Sequence, residues 1–134
     1  MNRQYILWAD DDVDDLMFMR QVLKDIGKEY DIREVNNGSE ALNYLEKSKA
    51  SAGLPSLIVL DMNMPVMNGK EALVHIKKDE TLKKIPVVFF TTSNSELDKL
   101  YCSKYGVDMI TKPPRYGKLK ETVKNLLEVY LDKN

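Results

Sequence analysis

Short apolar runs, separated by longer stretches of mixed polarity, set the pattern of this chain. Three of the runs are nearly continuous rather than alternating, which is typical of parallel strands covered by helices on both faces. We predict strands over residues 5–9, 57–60, 87–90 and 107–111, and a weaker strand over residues 31–35.

The stretches between the runs carry helical spacing instead. In the first of them, apolar residues recur every three or four positions and end at Gly27, which favours the turn after a helix. Further helices are predicted over 39–46, 69–78 and 95–105, and a last helix carries Leu119, Val123, Leu126 and Tyr130 on one face. The small, polar, Pro-ended stretch 48–55 is predicted to be a loop.

Strand and helix thus alternate five times along the chain. This order predicts an α/β fold, in which a five-stranded parallel sheet carries five helices on its two faces. In open sheets of this kind, ligands bind beyond the carboxyl ends of the strands. Functional side chains are therefore expected at those ends.

Size and charge narrow the class of protein. A chain of 134 residues fits one domain. The net charge of -1 shows no excess of positive charge of the kind that binds nucleic acid or a membrane surface. The single cysteine, Cys102, cannot form an internal disulfide, and no apolar run has the length of a membrane span or the pattern of a signal peptide. We predict a cytoplasmic protein.

Chemically distinctive residues stand at four of the predicted strand ends: Asp10 and Asp11, Asp61, Thr91, and Lys112. Carboxylates brought together repel one another, and Mg²⁺ prefers a few carboxylates with water and a phosphate oxygen. A carboxylate can also attack phosphorus while a metal and an amine neutralise the transferring group. The pattern therefore predicts a Mg²⁺ site that supports phosphoryl transfer.

The remaining acids of the N-terminal cluster have a simpler interpretation. Asp12, Asp14 and Asp15 stand at the start of the first predicted helix. Acidic side chains stabilise helix N-termini, so we assign these three to the helix start rather than to the metal site.

Four motifs follow one another along the chain, each at a predicted strand end: the pair Asp10-Asp11, the stretch DMNMPVMNG over 61–69, Thr91 after IPVVFF, and Lys112-Pro113. Together they resemble the receiver domains of bacterial two-component response regulators. The resemblance covers nearly the whole chain and implies a flavodoxin-like strand order of 2-1-3-4-5. It also implies a receiver domain over 1–134 with no effector domain, similar to the single-domain regulators of phytochrome-type sensor kinases.

The resemblance implies a role for each of these side chains. Asp61 would accept the phosphoryl group of a phosphohistidine on a sensor histidine kinase or a histidine phosphotransfer protein. Mg²⁺ would be held by Asp11, Asp61 and the backbone carbonyl of Asn63, with Asp10 acting mainly through water.

Three further implications concern the phosphorylated site and its output. Lys112 and Thr91 would contact the acyl phosphate, with Thr91 moving inward as the switch. The bond between Lys112 and Pro113 would be cis, which an X-Pro bond permits at small cost. The surface of the fourth helix, fifth strand and fifth helix would change for partner binding or homodimer formation, although Met109 stands where many receivers carry an aromatic.

Such a protein signals rather than serving as an enzyme, catalysing only its own phosphotransfer and dephosphorylation. One alternative is a haloacid dehalogenase-like phosphatase with Asp10 as nucleophile, because Asp10-Asp11-Asp12-Val13 also fits that motif. That family needs a later acidic pair, and only isolated acids follow Lys112, such as Glu121 and Glu128. The other alternative is a receiver-like scaffold that is never phosphorylated.

Overall fold

Strands and helices alternate along the chain as the apolar pattern predicts. A computed structural model describes residues 4–27, 30–51 and 53–131. The strands are β1 (Tyr5–Ala9), β2 (Asp31–Val35), β3 (Leu57–Leu60), β4 (Val87–Thr91) and β5 (Asp108–Thr111). The helices are α1 (Val13–Ile26), α2 (Gly38–Ser51), α3 (Gly69–Lys78), α4 (Glu96–Tyr105) and α5 (Tyr116–Tyr130), with a 3-10 turn at Leu82–Lys84.

The described strands form one parallel sheet in the order β2-β1-β3-β4-β5. This confirms the predicted fold class and the strand order that the family resemblance implied. Because β1 and β3 are neighbours, Ala9 pairs with Leu60, and the residues that follow them emerge side by side. The residues after β4 and β5 emerge at the same edge.

Alternate residues of the central strands fill the space on opposite faces of the sheet. Ile6, Trp8 and Val59 pack with the apolar faces of α1 and α5. Leu7 and Ile58, which point the other way, pack with α2, α3 and α4. Burial on both faces explains why these runs are continuous rather than alternating.

One predicted loop is partly helical. Helix α2 continues to Ser51, whereas residues 48–55 were predicted to be a loop. The Ser48 hydroxyl donates to the Tyr44 carbonyl at 2.9 Å, and Ser48 is buried. A serine that bonds back to its own helix and lies inside no longer ends the helix, so the local prediction was wrong there.

Among the described residues, no helix is both long enough and apolar enough to cross a bilayer.

Candidate functional site

The acidic residues after β1 and β3 meet at the carboxyl edge of the sheet. Asp10 donates its backbone N–H to the Val35 carbonyl at 3.0 Å, and Asp61 donates its own to the Ala9 carbonyl at 3.0 Å. These bonds continue the strand pairing by one residue, so the sheet itself fixes both side chains. Carboxylate oxygens of Asp10, Asp11 and Asp61 lie within 4.8 Å of one another.

This group has the chemistry of a site for a hard divalent cation. Its donors are carboxylate oxygens, and Asp10 and Asp61 are buried while Asp11 is exposed. Burial raises the pKa of Asp10 to about 6, against the opposing hydrogen bonds from Lys112 and the Asp12 amide. Carboxylates held this close in a poorly solvated place favour a cation that neutralises them, and an all-oxygen donor set suits Mg²⁺.

Asn63, whose carbonyl was predicted to complete the metal site, lies two residues beyond Asp61 in the loop after β3. Its backbone N–H donates to Asp61 Oδ1 at 3.2 Å. The loop therefore turns back over the Asp61 carboxylate and keeps Asn63 beside the acidic group.

Lys112 enters the same site from the end of β5. Its Nζ lies 2.6 Å from Asp10 Oδ2, 2.8 Å from Asp15 Oδ2 and 3.0 Å from Asp61 Oδ2. Burial opposes the charge on the amine, but the hydrogen bonds with Asp10 and Asp15, together with the negative charges of Asp61 and Asp10, raise the pKa of Lys112 above its usual range. A permanent positive charge thus stands against Asp61.

Thr91, the last residue of β4, is fully buried at the same edge. Its Oγ1 accepts a hydrogen bond from the Ser93 backbone N–H at 3.4 Å, and its carbonyl accepts one from the Lys112 backbone N–H at 2.7 Å. The structure therefore ties Thr91 to the β4–α4 loop and to the start of the β5–α5 loop. In this state its side-chain bond is with Ser93 rather than with Asp61.

The bond between Lys112 and Pro113 is trans, since no cis peptide bond occurs in the ranges 4–27, 30–51 and 53–131. The prediction of a cis bond is wrong for this structure. The trans isomer of an X-Pro bond is favoured by roughly 0.5–1 kcal/mol. Lys112 reaches its carboxylate partners with the trans bond in place.

The acids of the first helical turn divide into two roles. Asp12 caps α1, because its Oδ1 accepts the backbone N–H groups of Asp14 and Asp15 at 2.9 and 3.1 Å. Asp15, assigned to the helix start as well, instead places its side chain on Lys112. No local pattern could have identified this contact, because Lys112 lies 97 positions further along the chain.

A glycine allows α3 to begin directly beside the end of β3. A Cβ on Gly69 would lie 2.1 Å from the Asp61 carbonyl oxygen. The helix is capped by Asn68, whose side chain accepts the Glu71 backbone N–H at 2.9 Å, while the Glu71 side chain accepts the Asn68 N–H at 3.2 Å. The loop after Asp61 is thereby anchored at both ends.

The later acids considered for the phosphatase alternative, Glu121 and Glu128, do not join the acidic group at Asp10. Glu121 and Glu128 lie on exposed positions of α5. The acidic group found among the described residues consists of Asp10, Asp11 and Asp61.

Comparison with known proteins agrees with this architecture. The sequence model of the response regulator receiver domain matches residues 6–124. Chemotaxis protein CheY1 of Helicobacter pylori is 36% identical over 127 residues, which cover 91% of this chain and 95% of CheY1. Response regulator Rcp1 of Synechocystis sp. is 30% identical over 130 residues, which cover 95% of this chain and 88% of Rcp1.

Two solved structures carry the likeness into three dimensions. The phosphorylated cyanobacterial phytochrome response regulator RcpA superposes with a TM-score of 0.87 at 33% identity, over 96% of this chain and 94% of RcpA. The Mn²⁺-bound form of Rcp1 superposes with a TM-score of 0.85 at 29% identity, over 98% of this chain and 96% of Rcp1. The site geometry, the strand order and these likenesses agree, and the chain belongs to the response regulator receiver domain family, which serves signalling in two-component systems.

Proposed function

We propose that Asp61 is the phosphoryl acceptor of this receiver domain and takes the group from a phosphohistidine of a histidine kinase or a histidine phosphotransfer protein. One observation carries the proposal. The carboxylate of Asp61 belongs to the acidic group that suits Mg²⁺ and also lies 3.0 Å from the Lys112 ammonium. An acceptor for phosphoryl transfer needs both positive charges beside it.

The transfer needs little beyond position and charge. An ionised oxygen of Asp61 attacks phosphorus, the new P–O bond forms as the P–N bond breaks, and the histidine nitrogen leaves with the electron pair. A carboxylate needs no general base for this attack. Lys112 pairs with one phosphoryl oxygen and the Thr91 hydroxyl donates to another. Hydrolysis returns Asp61 to its unphosphorylated form: water attacks phosphorus, the bond to Asp61 breaks, and inorganic phosphate leaves.

For the metal, we assign Asp11, Asp61 and the backbone carbonyl of Asn63 as ligands of Mg²⁺, with Asp10 acting mainly through water. When bound, Mg²⁺ neutralises charge on the transferring group and on the clustered carboxylates. The proximity of Asp10, Asp11 and Asp61 supports this assignment, as does the crystallisation of the relative Rcp1 with Mn²⁺.

The output is a rearrangement of the surface formed by α4, β5 and α5. The Thr91 hydroxyl accepts the Ser93 amide, so a movement of Thr91 toward the phosphoryl group would change this contact. Ser93 also donates its hydroxyl to Asp98 of α4, and its carbonyl accepts the Thr111 hydroxyl of β5 at 3.1 Å. A movement of Thr91 therefore disturbs a loop that touches both α4 and β5.

This surface is also the one that we assign to partners. Leu97 and Leu100 of α4 and Val129 of α5 are exposed, and a homodimer through this surface would cover them. The likeness to RcpA, a phytochrome response regulator, supports a sensor kinase of the phytochrome type as the phosphoryl source.

Intact mass spectrometry tests the acceptor assignment. The purified protein is incubated with Mg²⁺ and phosphoramidate, beside Asp61→Asn, Asp10→Asn and a metal-free sample. We expect a gain of one phosphoryl group that requires Mg²⁺ and disappears in Asp61→Asn.

Two results would contradict it. Labelling that persists in Asp61→Asn but disappears in Asp10→Asn would favour the phosphatase alternative. A wild-type protein that takes no phosphoryl group would favour the scaffold.

A further inference from the structure

Asp15 contacts Lys112 from outside the strand ends that build the rest of the site. It lies in the first turn of α1, and its Oδ2 is 2.8 Å from Lys112 Nζ. About a third of the Asp15 side chain is exposed, against 8% of the Lys112 side chain. The contact therefore lies at the rim of the site, where the buried amine meets the helix.

The start of α1 explains why Asp15 is free for this contact. In α3, the third residue after the cap, Glu71, bonds back to the backbone N–H of the capping residue Asn68. Asp15 holds the same position in α1, but the backbone N–H of its capping residue, Asp12, donates to Asp10 Oδ1 at 3.0 Å. The Asp15 carboxylate bonds to the lysine instead.

The ammonium group uses all of its hydrogen-bonding capacity in this arrangement. A lysine has three N–H donors, and the carboxylate partners of Lys112 among the described residues are Asp10, Asp15 and Asp61. Asp10 and Asp61 also belong to the acidic group that suits the metal, whereas Asp15 does not. Once a cation and a phosphoryl group engage the other two, Asp15 is the partner that remains.

We propose that Asp15 is a positioning residue that holds the Lys112 ammonium at the rim of the site, so that its other donors face the phosphoryl oxygens. The inference rests on the proposed function, because it assigns Asp15 to the acceptor chemistry of Asp61. Without Asp15, the ammonium loses its anchor on α1 and its position is set by Asp10 and Asp61 alone.

Phosphorylation kinetics test the role with a matched control. Asp14 lies in the same helical turn and is exposed, so Asp14→Asn removes the same charge from the same helix end without removing a partner of Lys112. Rates with phosphoramidate are measured at saturating Mg²⁺ for the wild type, Asp15→Asn, Asp14→Asn, Lys112→Ala and the double variant Lys112→Ala/Asp15→Asn. Trp8 lies in β1, two residues before Asp10, so we expect its fluorescence to change when Mg²⁺ binds.

We expect Asp15→Asn to lower the maximal rate about tenfold, as for the loss of a hydrogen bond to a charged group. Asp14→Asn changes it less than about twofold, and in the Lys112→Ala background Asp15→Asn has no further effect. Asp15→Glu, which keeps the charge, recovers part of the rate. Equal rates for Asp15→Asn and Asp14→Asn, or an undiminished effect of Asp15→Asn without Lys112, would overturn the proposal.

Amine reactivity gives a second measurement that does not depend on phosphorylation. With trace acetic anhydride and Mg²⁺, we expect acetylation of Lys112 to rise about fivefold in Asp15→Asn and to stay unchanged in Asp14→Asn. Unchanged reactivity in both variants would reject the positioning role. If instead the wild type takes no phosphoryl group, the acceptor assignment fails by itself, and the acetylation result still decides whether Asp15 holds the Lys112 ammonium.

Discussion

The centre of the sheet and the corner formed by α4 and β5 are packed very differently. All residues of β3 and β4 are buried, as are all but the first of β1. In β5, Asp108 and Thr111 are exposed and the two residues between them are half-buried. In α4, Cys102 is buried whereas Leu97 is 78% exposed and Leu100 is 65% exposed.

The difference separates a fixed part of the molecule from a part that can rearrange. Asp10 and Asp61 follow central strands whose displacement would disrupt a close-packed interior. The corner is joined to α3 by polar contacts, including the ion pair of Lys70 with Asp98. Regions with few buried apolar contacts open at lower free energy than core strands. The proposed acceptor, Asp61, thus lies on the close-packed part and the proposed output surface on the less buried part.

The largest expected effect comes from truncating one leucine in each region. Leu60 is fully buried in β3. Leu60→Ala should lower the free energy of unfolding of the protein by about 2–5 kcal/mol, because a cavity remains. Leu97→Ala on α4 should change it by less than about 0.5 kcal/mol, since the side chain is exposed. Urea denaturation monitored by circular dichroism measures both. Similar losses in the two variants would mean that the corner is packed as tightly as the centre.

Alanine substitutions at two glycines test how closely α3 approaches the end of β3. Gly69→Ala should destabilise the protein by about 1–3 kcal/mol, because the new methyl group would meet the Asp61 carbonyl at 2.1 Å. It should also slow phosphorylation, since the Asp61 backbone must move. Gly117→Ala in α5 meets nothing within 4 Å and should stabilise the protein by about 0.4–1 kcal/mol. A Gly69→Ala protein with wild-type stability and phosphorylation rate would contradict the close approach.

The strand ends could be predicted from sequence because two local patterns coincide there. A continuous apolar run marks a buried parallel strand, and Asp10 or Asp61 directly after it must emerge at the carboxyl edge. The contact between Asp15 and Lys112 joins residues 97 positions apart, so helix-start propensity was the only local information about Asp15.

Two other details were also beyond local reasoning. The end of α2 depends on the buried Ser48, whose hydroxyl bonds back to its own helix. The isomer of the Lys112–Pro113 bond depends on the folded surroundings of the loop as well as on the intrinsic trans preference of roughly 0.5–1 kcal/mol, and no local sequence pattern contains those surroundings.

Asp10 is a buried carboxyl group beside the central strands, so its protonation should make stability depend on pH. Since its pKa is raised to about 6, the metal-free native state takes up a proton as the pH falls from 7 to 5, before the unfolded chain does. This group therefore makes metal-free protein more stable at pH 5 than at pH 7.

Mg²⁺ binding should show the opposite trend, because the proton competes with the cation. We expect affinity to fall about tenfold between pH 7 and pH 5, measured by titration of Trp8 fluorescence. Asp10→Asn removes the titrating group and should flatten this dependence. A wild-type affinity that does not vary with pH would show that Asp10 stays ionised in the metal-free protein.

The smallest expected effect concerns Tyr101, an aromatic residue of α4. Met109 occupies the position of β5 at which many receivers carry an aromatic. In α4, Tyr101 packs edge-on to Phe89 with ring centroids 6.4 Å apart. The Tyr101 hydroxyl donates to the Lys70 carbonyl of α3 at 2.8 Å. Tyr101→Phe keeps the ring and removes this bond, so it should weaken the attachment of α4 by about 1 kcal/mol.

Amide hydrogen exchange in α4 measures that attachment directly. We expect it to quicken about fivefold in Tyr101→Phe while the β3 and β4 amides keep their rates. Tyr105→Phe is the matched control, because the Tyr105 hydroxyl has no hydrogen-bond partner among the described residues. If the bond to Lys70 holds the corner in its unphosphorylated arrangement, Tyr101→Phe should also reduce the additional change in α4 exchange that phosphorylation causes. Equal exchange in the two variants would leave the ring packing, rather than the hydroxyl, as the link between α4 and the rigid centre.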